Sequence, residues 1–293
     1  MPKQKKIPTT KQVLKRAKQG GYAIGAFNVS TLEMLKGVLQ AADKMRSPVI
    51  IETSSGETEY IGAEMQAAML DSQERTLKLP ILINLDHSHT YADVMNALKA
   101  GYELLHFDGS KMPRSKNIRI LKKIVPIAHR KGRLVEGEQN YITGSSSWHK
   151  GKSVSQEQLK SSYTDPAQAE DFVKQTNIDI FASFIGNVHG VYAQPPKLDF
   201  KRLREIRKRL HCYLSLHGGS GIRAGDVRRA VKEGINKVNV STELRIAYIE
   251  GLKKALKENP KEYSPYILMP PVVNAIQKVV EEKIKLFGSA NRN

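Results

Sequence analysis

The chain has 293 residues, a length that fits either one large domain or two smaller ones. Hydrophobic residues make up 40% and charged residues 26%, as in ordinary soluble globular proteins, and no apolar run is long enough to span a bilayer. The basic N-terminus lacks the apolar segment of a secretory signal, and the single cysteine, Cys212, excludes an intrachain disulfide. We therefore expect a cytoplasmic protein in which Cys212 is a small buried strand residue.

The net charge of +18 is compatible with a nucleic-acid partner, with an anionic substrate, or with neither. Basic residues are spread along the chain, with a local excess at residues 197–209. In that segment the apolar residues fall on one helical face, which places the basic side chains on the solvated face. We therefore expect neither a nucleic-acid partner nor a membrane.

Short apolar runs alternate with amphipathic segments along the whole chain. Predicted helices occupy residues 9–18, 30–44, 63–76, 91–100, 115–130, 165–175, 199–210, 223–233, 242–258 and 271–287. Predicted strands occupy residues 22–27, 49–53, 81–87, 103–107, 133–138, 179–185, 213–216 and 237–240. Within this pattern Ser30 is a predicted N-cap, residues 54–56 are a predicted loop, and Pro126 is expected to kink or break its helix.

Eight strands that alternate with helices indicate an α/β protein with a parallel sheet. Eight such units in this length favour a closed (β/α)8 TIM barrel over a doubly wound open sheet. We expect one domain over residues 1–293, with an N-terminal helix before the barrel and an extra C-terminal helix. Residues 139–162 are rich in Ser, Gly and Lys and show no periodicity, so we expect a long mobile active-site loop there.

Three apolar runs lead into histidines, namely His87, His189 and His217. Three imidazoles with an open position are a common catalytic zinc site, so these residues are the predicted metal ligands. Other polar residues also follow strand ends, which converge on one mouth in a barrel. They are Asn28, Ser54, Asp86, Asp108, Glu138 and Asn239. His106 lies inside a predicted strand and is interpreted as peripheral, whereas His89 is close enough to support the site.

Glycine-rich turns follow two of these histidines, at His189-Gly190 and at His217-Gly218-Gly219-Ser220-Gly221. Asn239-Val240-Ser241-Thr242 likewise joins the last strand to a helix. Barrel enzymes often bind phosphate after strands seven and eight, through backbone N–H groups at a helix N-terminus. A metal beside such a site indicates a phosphorylated substrate whose carbonyl the metal polarises.

In combination these motifs resemble the class II, zinc-dependent ketose-bisphosphate aldolase family. The motifs are Leu85-Asp-His87, Val135-Glu-Gly-Glu138, Asn187-Val-His-Gly190, Leu216-His-Gly-Gly-Ser-Gly-Ile222 and Lys237-Val-Asn-Val-Ser-Thr-Glu243. Ala26-Phe-Asn28 and Phe287-Gly-Ser-Ala-Asn291 extend the resemblance over nearly the whole chain. Each motif alone is weak, and their combination is specific.

The resemblance implies that His87, His189 and His217 hold a catalytic zinc ion. It assigns Asp108 and Glu138 to a second or displaced divalent metal ion. It also implies a monovalent cation, K⁺ or Na⁺, near the carbonyls of Val188 and Gly218, and a homodimer or homotetramer. Residues implied to line the substrate site or to hold one phosphate are Asn28, Ser54, Gly190, Gly218, Gly219, Ser220, Asn239, Val240, Ser241 and Thr242.

The implied reaction is the reversible cleavage of fructose 1,6-bisphosphate, a step of glycolysis and gluconeogenesis. The products are dihydroxyacetone phosphate and glyceraldehyde 3-phosphate. Asp86 would remove the proton of the C4 hydroxyl, the C3–C4 bond would break, and a second acid would protonate the enediolate. Lysine Schiff-base chemistry is the other aldolase solution, and no lysine is expected at a strand end in the barrel mouth.

The sequence departs from the family at three places. Relatives carry a loop glutamate as the second acid/base, whereas residues 141–152 contain no carboxylate. His149 is our candidate substitute, and the more distant Glu157 is the alternative. Ser88-His89 stands where Gly is usual, and Lys111 adds a positive charge that either binds a second phosphate or is solvated.

The sequence does not exclude three other functions. The first is a tagatose 1,6-bisphosphate aldolase or another ketose-bisphosphate aldolase of the same family. The second is a non-catalytic zinc- and phosphosugar-binding protein that kept the histidines and lost the loop acid. The third, suggested only by the charge of +18, is a nucleic-acid-binding protein on a barrel scaffold.

Overall fold

The computed structural model describes residues 7–153, 155–194 and 197–293. The described strands are β1 (Ile24–Asn28), β2 (Val49–Ser54), β3 (Ile81–Ser88), β4 (Leu104–Asp108), β5 (Leu134–Glu138), β6 (Gly144–His149), β7 (Ile180–Ala182), β8 (His189–Tyr192), β9 (Tyr213–Leu216) and β10 (Lys237–Val240). The described helices are α1 (Thr10–Gly20), α2 (Leu32–Met45), α3 (Ser55–Ile61), α4 (Ala63–Leu77), α5 (Tyr91–Ala100), α6 (Arg114–Arg130), α7 (Gln156–Lys160), α8 (Pro166–Thr176), α9 (Phe200–Arg209), α10 (Ala224–Lys232), α11 (Thr242–Glu258), α12 (Pro265–Leu268) and α13 (Pro270–Phe287).

Eight of the strands close into a parallel barrel in the order β1-β10-β9-β7-β5-β4-β3-β2. The prediction of a single (β/α)8 barrel domain is therefore confirmed. The remaining two strands, β6 and β8, pair with each other in a separate parallel sheet. Within the described part of the chain, no helix combines the length and the apolarity that a membrane span requires.

Strand periodicity divides the barrel interior into an apolar end and a polar end. Successive strand residues face opposite sides, so every second residue points inward. The first inward residues are apolar and form one buried cluster, which includes Ile24, Ile50, Leu82, Leu104 and Leu134. Two residues further along, the inward positions of β2, β3, β4 and β5 are polar, at Glu52, Asn84, His106 and Glu136. The polar end is the C-terminal end of the strands, where barrel enzymes place their chemistry.

Helix α1 covers the apolar end of the barrel. Its buried residues Val13, Leu14 and Ala17 belong to the same cluster as the first inward residues of the strands. Thr9 caps the helix in a capping box with Gln12, which fixes where the helix begins. Because this end is filled with apolar side chains, polar chemistry is confined to the opposite mouth.

Local predictions were wrong at three places and are only partly tested at a fourth. The N-cap of α2 is Thr31 rather than Ser30, because the Thr31 hydroxyl accepts from the Met34 N–H. Residues 54–56 are not a loop, since Ser54 forms a capping box with Glu57 and α3 begins at Ser55. Helix α6 continues through Pro126, so the expected break is absent, while a kink there stays a prediction. The segment 139–162 is only partly loop, because it contains β6 and α7.

Candidate active site

Four imidazole rings meet at the polar mouth of the barrel. The ring centroid of His87 lies 4.6 Å from that of His217, 5.0 Å from that of His189 and 4.6 Å from that of His106. The structure thus brings the three predicted ligands together. It corrects the interpretation of His106, which is fully buried and lies 4.9 Å from His217 by ring centroids. His106 is two residues before Asp108 on β4 and therefore points inward with it.

Hydrogen bonds leave one nitrogen free on each predicted ligand. His217 donates from Nε2 to Glu136 Oε1 at 2.9 Å, and its Nδ1 has no hydrogen-bond partner. His189 Nδ1 lies 3.2 Å from the Ile142 carbonyl oxygen, which places the proton on Nδ1 and frees Nε2. His87 Nδ1 lies 3.0 Å from Asp108 Oδ2, and its Nε2 is buried without a partner.

The unpartnered atoms form a cluster that suits a cation. They are His87 Nε2, His217 Nδ1 and Glu138 Oε2. His106 Nε2 also lacks a partner, but His106 Nδ1 accepts from the His87 N–H, so this Nε2 carries a proton and is not a metal donor. A buried polar atom without a partner costs about 1–3 kcal/mol, so a group of them indicates a ligand that satisfies them together. Two groups of side chains bring nitrogen or oxygen atoms within 4.8 Å of one another. The first group consists of Asp86, His87, His106 and His217, and the second consists of His87, Asp108 and Glu138. These nitrogen and oxygen donors are the types that zinc binds.

His189 reaches the site by a route that the sequence did not indicate. Strand β7 ends at Ala182, so His189 does not end a barrel strand as predicted. The chain turns at Gly186, whose φ of +106° disfavours residues with a side chain, and His189 then begins β8. Its ring centroid lies 6.0 Å from that of His217, and it belongs to neither compact donor group.

Burial and neighbouring charges shift the pKa values of the groups at the mouth in different directions. Burial alone would lower the pKa of His87, but the charges of Asp86, Glu138 and Asp108 outweigh it and raise this pKa to about 10. Burial together with the charge of Asp108 raises the pKa of Glu138 to about 8. By contrast, burial lowers the pKa of His189 to about 3 and that of His217 to about 4, so both rings are neutral at pH 7. Neutral imidazole is the form that binds metal, so His87 must release its extra proton when an ion is bound.

Asp86 is held by two amides. Its carboxylate accepts from Asn28 Nδ2 at 3.1 Å and from Asn239 Nδ2 at 3.2 Å. Burial opposes ionisation of Asp86, but the charge of His87 and the nearby His106 ring, whose Nδ1 lies 3.6 Å from Asp86 Oδ1, hold its pKa well below the usual range. Asp86 is therefore an ionised, oriented carboxylate beside the histidines, which is what a general base requires.

A buried ionic network lies one layer below the histidines, and the sequence did not predict it. Lys237 Nζ is 2.7 Å from Glu52 Oε1 and 2.7 Å from Glu136 Oε2, and all three side chains are fully buried. Asn239 donates to Glu52 at 2.9 Å as well as to Asp86. The network thus connects Asp86 with the Glu136 carboxylate that holds His217.

Lys237 lies inside the barrel, one layer below the mouth. The sequence predicted only that no lysine stands at a strand end in the mouth itself. Burial would lower its pKa, but Glu136 and Glu52 raise the pKa above its ordinary value. A Schiff-base lysine must be neutral to attack a carbonyl, so this amine is not prepared for that chemistry.

A small cavity of about 30 Å³ connects the histidines with the glycine-rich turns. Gly218 has a φ of +62°, and a Cβ there would overlap the carbonyl oxygen of Val188. Ser241 Oγ is buried without a hydrogen-bond partner. The cavity is lined by Asn28, Asp86, His87, Ser146, His189, Gly190, His217, Gly218, Ser220, Asn239, Ser241 and Thr242. Of the other predicted substrate residues, Gly219 donates its N–H to the Asn239 carbonyl, Val240 is buried, and Ser54 caps α3.

The loop after β5 folds over this cavity. Arg245 of α11 donates to the Ser146 carbonyl at 3.1 Å and to Glu57 Oε1 at 2.7 Å, which ties β6 to the barrel. His149 stacks on Tyr192 with ring centroids 4.4 Å apart, and its Nε2 is 3.1 Å from the Ser145 carbonyl oxygen. It lies against Gly190 and does not line the cavity, so its role as the second acid stays a prediction.

The chain was compared with known families and structures. The family model described as fructose-bisphosphate aldolase class-II matches residues 8–292. The YdjI aldolase from Escherichia coli K12 is 32% identical, with 98% of this chain and 99% of that chain covered and a TM-score of 0.81. A candidate fructose-1,6-bisphosphate aldolase from Coccidioides immitis is 26% identical over 97% of both chains, with a TM-score of 0.83.

A third structure, fructose-bisphosphate aldolase from Campylobacter jejuni, is 22% identical and has a TM-score of 0.81, with 97% of this chain and 95% of that chain covered. At this identity the similarity supports the barrel fold alone. The family match and the E. coli structure support assignment to a family, because both span nearly the whole chain. The chain therefore belongs to the class II fructose-bisphosphate aldolase family and is a carbon–carbon lyase.

Proposed function

We propose that this enzyme reversibly cleaves fructose 1,6-bisphosphate, with zinc held by His87, His189 and His217. The observation that carries the proposal is the arrangement of Asp86 beside three histidines, each with a free ring nitrogen. Zinc, when bound, supplies a Lewis acid that polarises the ketose carbonyl and stabilises negative charge during cleavage. The family is zinc-dependent, and the donor types at the mouth suit this metal.

Asp86 acts as the general base in this proposal. Its pKa is held low, so it is ionised at neutral pH and accepts the proton of the C4 hydroxyl. Asn28 and Asn239 hold its two oxygens and thereby fix the direction from which the proton arrives. Loss of that proton breaks the C3–C4 bond, with the electron pair remaining on the dihydroxyacetone phosphate half. His149 is proposed to return a proton to this half after a movement of the loop.

The glycine-rich turns and the start of α11 hold the phosphate of the ketose half. Gly190 and Gly218 have no side chain to block access, and Ser241 Oγ lacks a partner that a phosphate oxygen would supply. The helix N-terminus favours an anion at the same place. Because the cavity holds only about 30 Å³, substrate entry requires the segment around Ser146 to move outward.

Further features of the proposal follow the family. Asp108 and Glu138 would hold a second or displaced divalent ion together with His87. A K⁺ or Na⁺ ion near the Val188 and Gly218 carbonyls, a homodimer or homotetramer, and a cytoplasmic location are also proposed.

The test is the rate of cleavage of fructose and tagatose 1,6-bisphosphates, with EDTA and after zinc is restored. We expect cleavage that EDTA abolishes and zinc restores, with fructose 1,6-bisphosphate preferred. Preference for tagatose 1,6-bisphosphate would change the proposed substrate but not the proposed reaction class. Stoichiometric zinc without cleavage of either compound would instead favour a binding protein.

Two variants test the roles of individual residues. His217→Ala should lose zinc and turnover together.

Asp86→Ala should keep zinc and lose roughly 10²-fold or more in turnover, as expected for a missing acid/base. Unchanged turnover in Asp86→Ala would remove this residue from the mechanism.

A further inference from the structure

Two consecutive residues of β3, Asp86 and His87, both line the small cavity at the mouth. In a regular strand, neighbouring side chains face opposite sides, so only one of the two could point inward. Strand β3 is irregular at this place. From Leu85 to Ser88 it advances by three residues, while the paired residues of β4 advance by two. One extra residue on one strand of a pair is a β-bulge.

The bulge accounts for the direction of both side chains. Leu82 and Asn84 point into the barrel, so regular alternation would also point Asp86 inward and His87 outward. The extra residue lets His87 turn inward as well, with a φ of +46°. This left-handed conformation costs a residue with a side chain roughly 1–2 kcal/mol. The bulge therefore needs an interaction that offsets its cost.

The side chain of His106 on β4 supplies such an interaction. Its Nδ1 accepts a hydrogen bond from the backbone N–H of His87 at 3.2 Å. A backbone N–H can only donate, so Nδ1 carries no proton and the proton of this ring lies on Nε2. The side chain of His106 is fully buried. Without this acceptor the N–H would lose its partner, which costs about 1–3 kcal/mol for a buried group.

The other end of the His106 ring faces Glu138. Its Nε2 lies 3.6 Å from Glu138 Oε2, and among the described residues neither atom has a hydrogen-bond partner. The proton on Nε2 thus faces a carboxyl oxygen. A ring turned over would place carbon atoms at both contacts, so the His87 N–H and the Glu138 carboxyl group select the same orientation of the ring.

We infer that His106 is a positioning residue, which holds the β3 bulge and thereby directs both Asp86 and His87 into the mouth. This inference rests on the proposed function, in which His87 binds the metal ion and Asp86 accepts the substrate proton. The ring acts through the backbone of β3 rather than by contact with the ion. Loss of the acceptor lets β3 return to regular alternation, which turns His87 away from the mouth.

The experiment compares His106→Asn with His106→Leu. The amide oxygen of Asn can take the place of Nδ1, whereas Leu fills a buried site without offering an acceptor. If packing alone mattered, Leu would be the better replacement, because a buried amide is less favourable than an apolar side chain. His129→Leu is the matched control, since His129 lies on α6 and its Nε2 is 2.8 Å from Asp179.

Amide hydrogen exchange at His87, measured in the metal-free protein, reports on the bulge. It should be about tenfold or more faster in His106→Leu than in the wild type, because the N–H has lost its acceptor. Zinc affinity, measured by competition with a chelator, should fall by about tenfold or more in the same variant. His106→Asn should restore most of both values, and His129→Leu should match the wild type in both.

Equal exchange rates and equal zinc affinities in the two His106 variants would overturn the inference, as would wild-type values in His106→Leu. If His106→Leu does not fold, His106→Gln takes its place, because the Gln amide reaches the Nε2 position and leaves the Nδ1 position without an acceptor. Failure of the wild type to bind zinc would contradict the proposed function instead. The exchange rates of the metal-free variants then decide alone whether His106 holds the bulge.

Discussion

His217 donates a hydrogen bond from Nε2 to Glu136 Oε1 at 2.9 Å, and both side chains are buried. The proton must therefore lie on Nε2, and Nδ1 is the nitrogen left for a metal ion. A carboxylate behind a metal-binding imidazole fixes the orientation of the ring and raises its basicity. We therefore expect Glu136, on β5, to influence metal binding through the orientation and basicity of the His217 ring.

Glu136→Gln is expected to lower zinc affinity by about 10–100-fold, the usual loss when such a partner is changed. The amide side chain keeps the shape of the glutamate but carries no charge to favour the Nε2–H tautomer. Competition with a fluorescent chelator measures the affinity. Glu205→Gln, on the exposed face of α9, is the matched control and should bind zinc as the wild type does. Equal zinc affinity in Glu136→Gln and the wild type would contradict this role.

Lys237 pairs with two buried carboxyl groups, and its removal should strongly destabilise the fold. Lys237→Met leaves Glu52 and Glu136 buried without their shared cation, which typically costs about 3–5 kcal/mol. Urea denaturation of the metal-free protein measures the change. Adding Glu52→Gln and Glu136→Gln to the same protein should recover part of the loss, since the uncompensated charges are then absent. A midpoint in Lys237→Met equal to that of the wild type would show that water or relaxation already screens these charges.

The sequence predicted the barrel because each strand is a short apolar run followed by a helix. It also predicted the mouth, since Asp86, Asp108, Glu138 and His217 end or follow such runs. It missed the layer beneath, which consists of Glu52, Asn84, His106, Glu136 and Lys237. The signal was present, because all five of these residues stand two positions before a residue already assigned to the mouth. Strand periodicity places such pairs on the same inner face.

Other features depend on partners that lie far apart in the sequence. The pairing of β6 with β8 joins residues 144–149 to residues 189–192, and neither segment shows a strand periodicity of its own. His189 reaches the site through this pairing rather than at the end of a barrel strand. The ion pairs of Lys237 likewise join β10 to β2 and β5, which strand assignment alone does not bring into contact. Such relationships follow from the closed barrel and could be found only in three dimensions.

Gly218 should tolerate no side chain. Its φ of +62° costs a non-glycine residue roughly 1–2 kcal/mol, and a Cβ would also overlap the Val188 carbonyl oxygen. Gly218→Ala is therefore expected to shift the backbone beside His217, which lowers both zinc affinity and the urea midpoint. Gly225→Ala is the control, since no atom lies within 4 Å of a Cβ there and Gly225 is in α10, where alanine is favoured. Zinc affinity in Gly218→Ala equal to that in Gly225→Ala would show that the turn can move without disturbing His217.

Cys212 precedes β9 and is half-buried, so the prediction of a buried strand residue was wrong. Its thiol is nevertheless expected to be unreactive in the folded protein. Burial raises the pKa of its thiol to about 11, although the charges of Arg207 and Lys18 partly oppose this. The thiolate is the reactive form, so at pH 8 only about one thiol in a thousand is available, against roughly one in four at an unperturbed pKa of about 8.5. Alkylation by iodoacetamide should therefore be slow in the native protein, fast in urea, and about tenfold faster per pH unit between pH 8 and pH 10. Labelling of the native protein at pH 8 as fast as that of the unfolded chain would show that the thiol is exposed and its pKa is not raised.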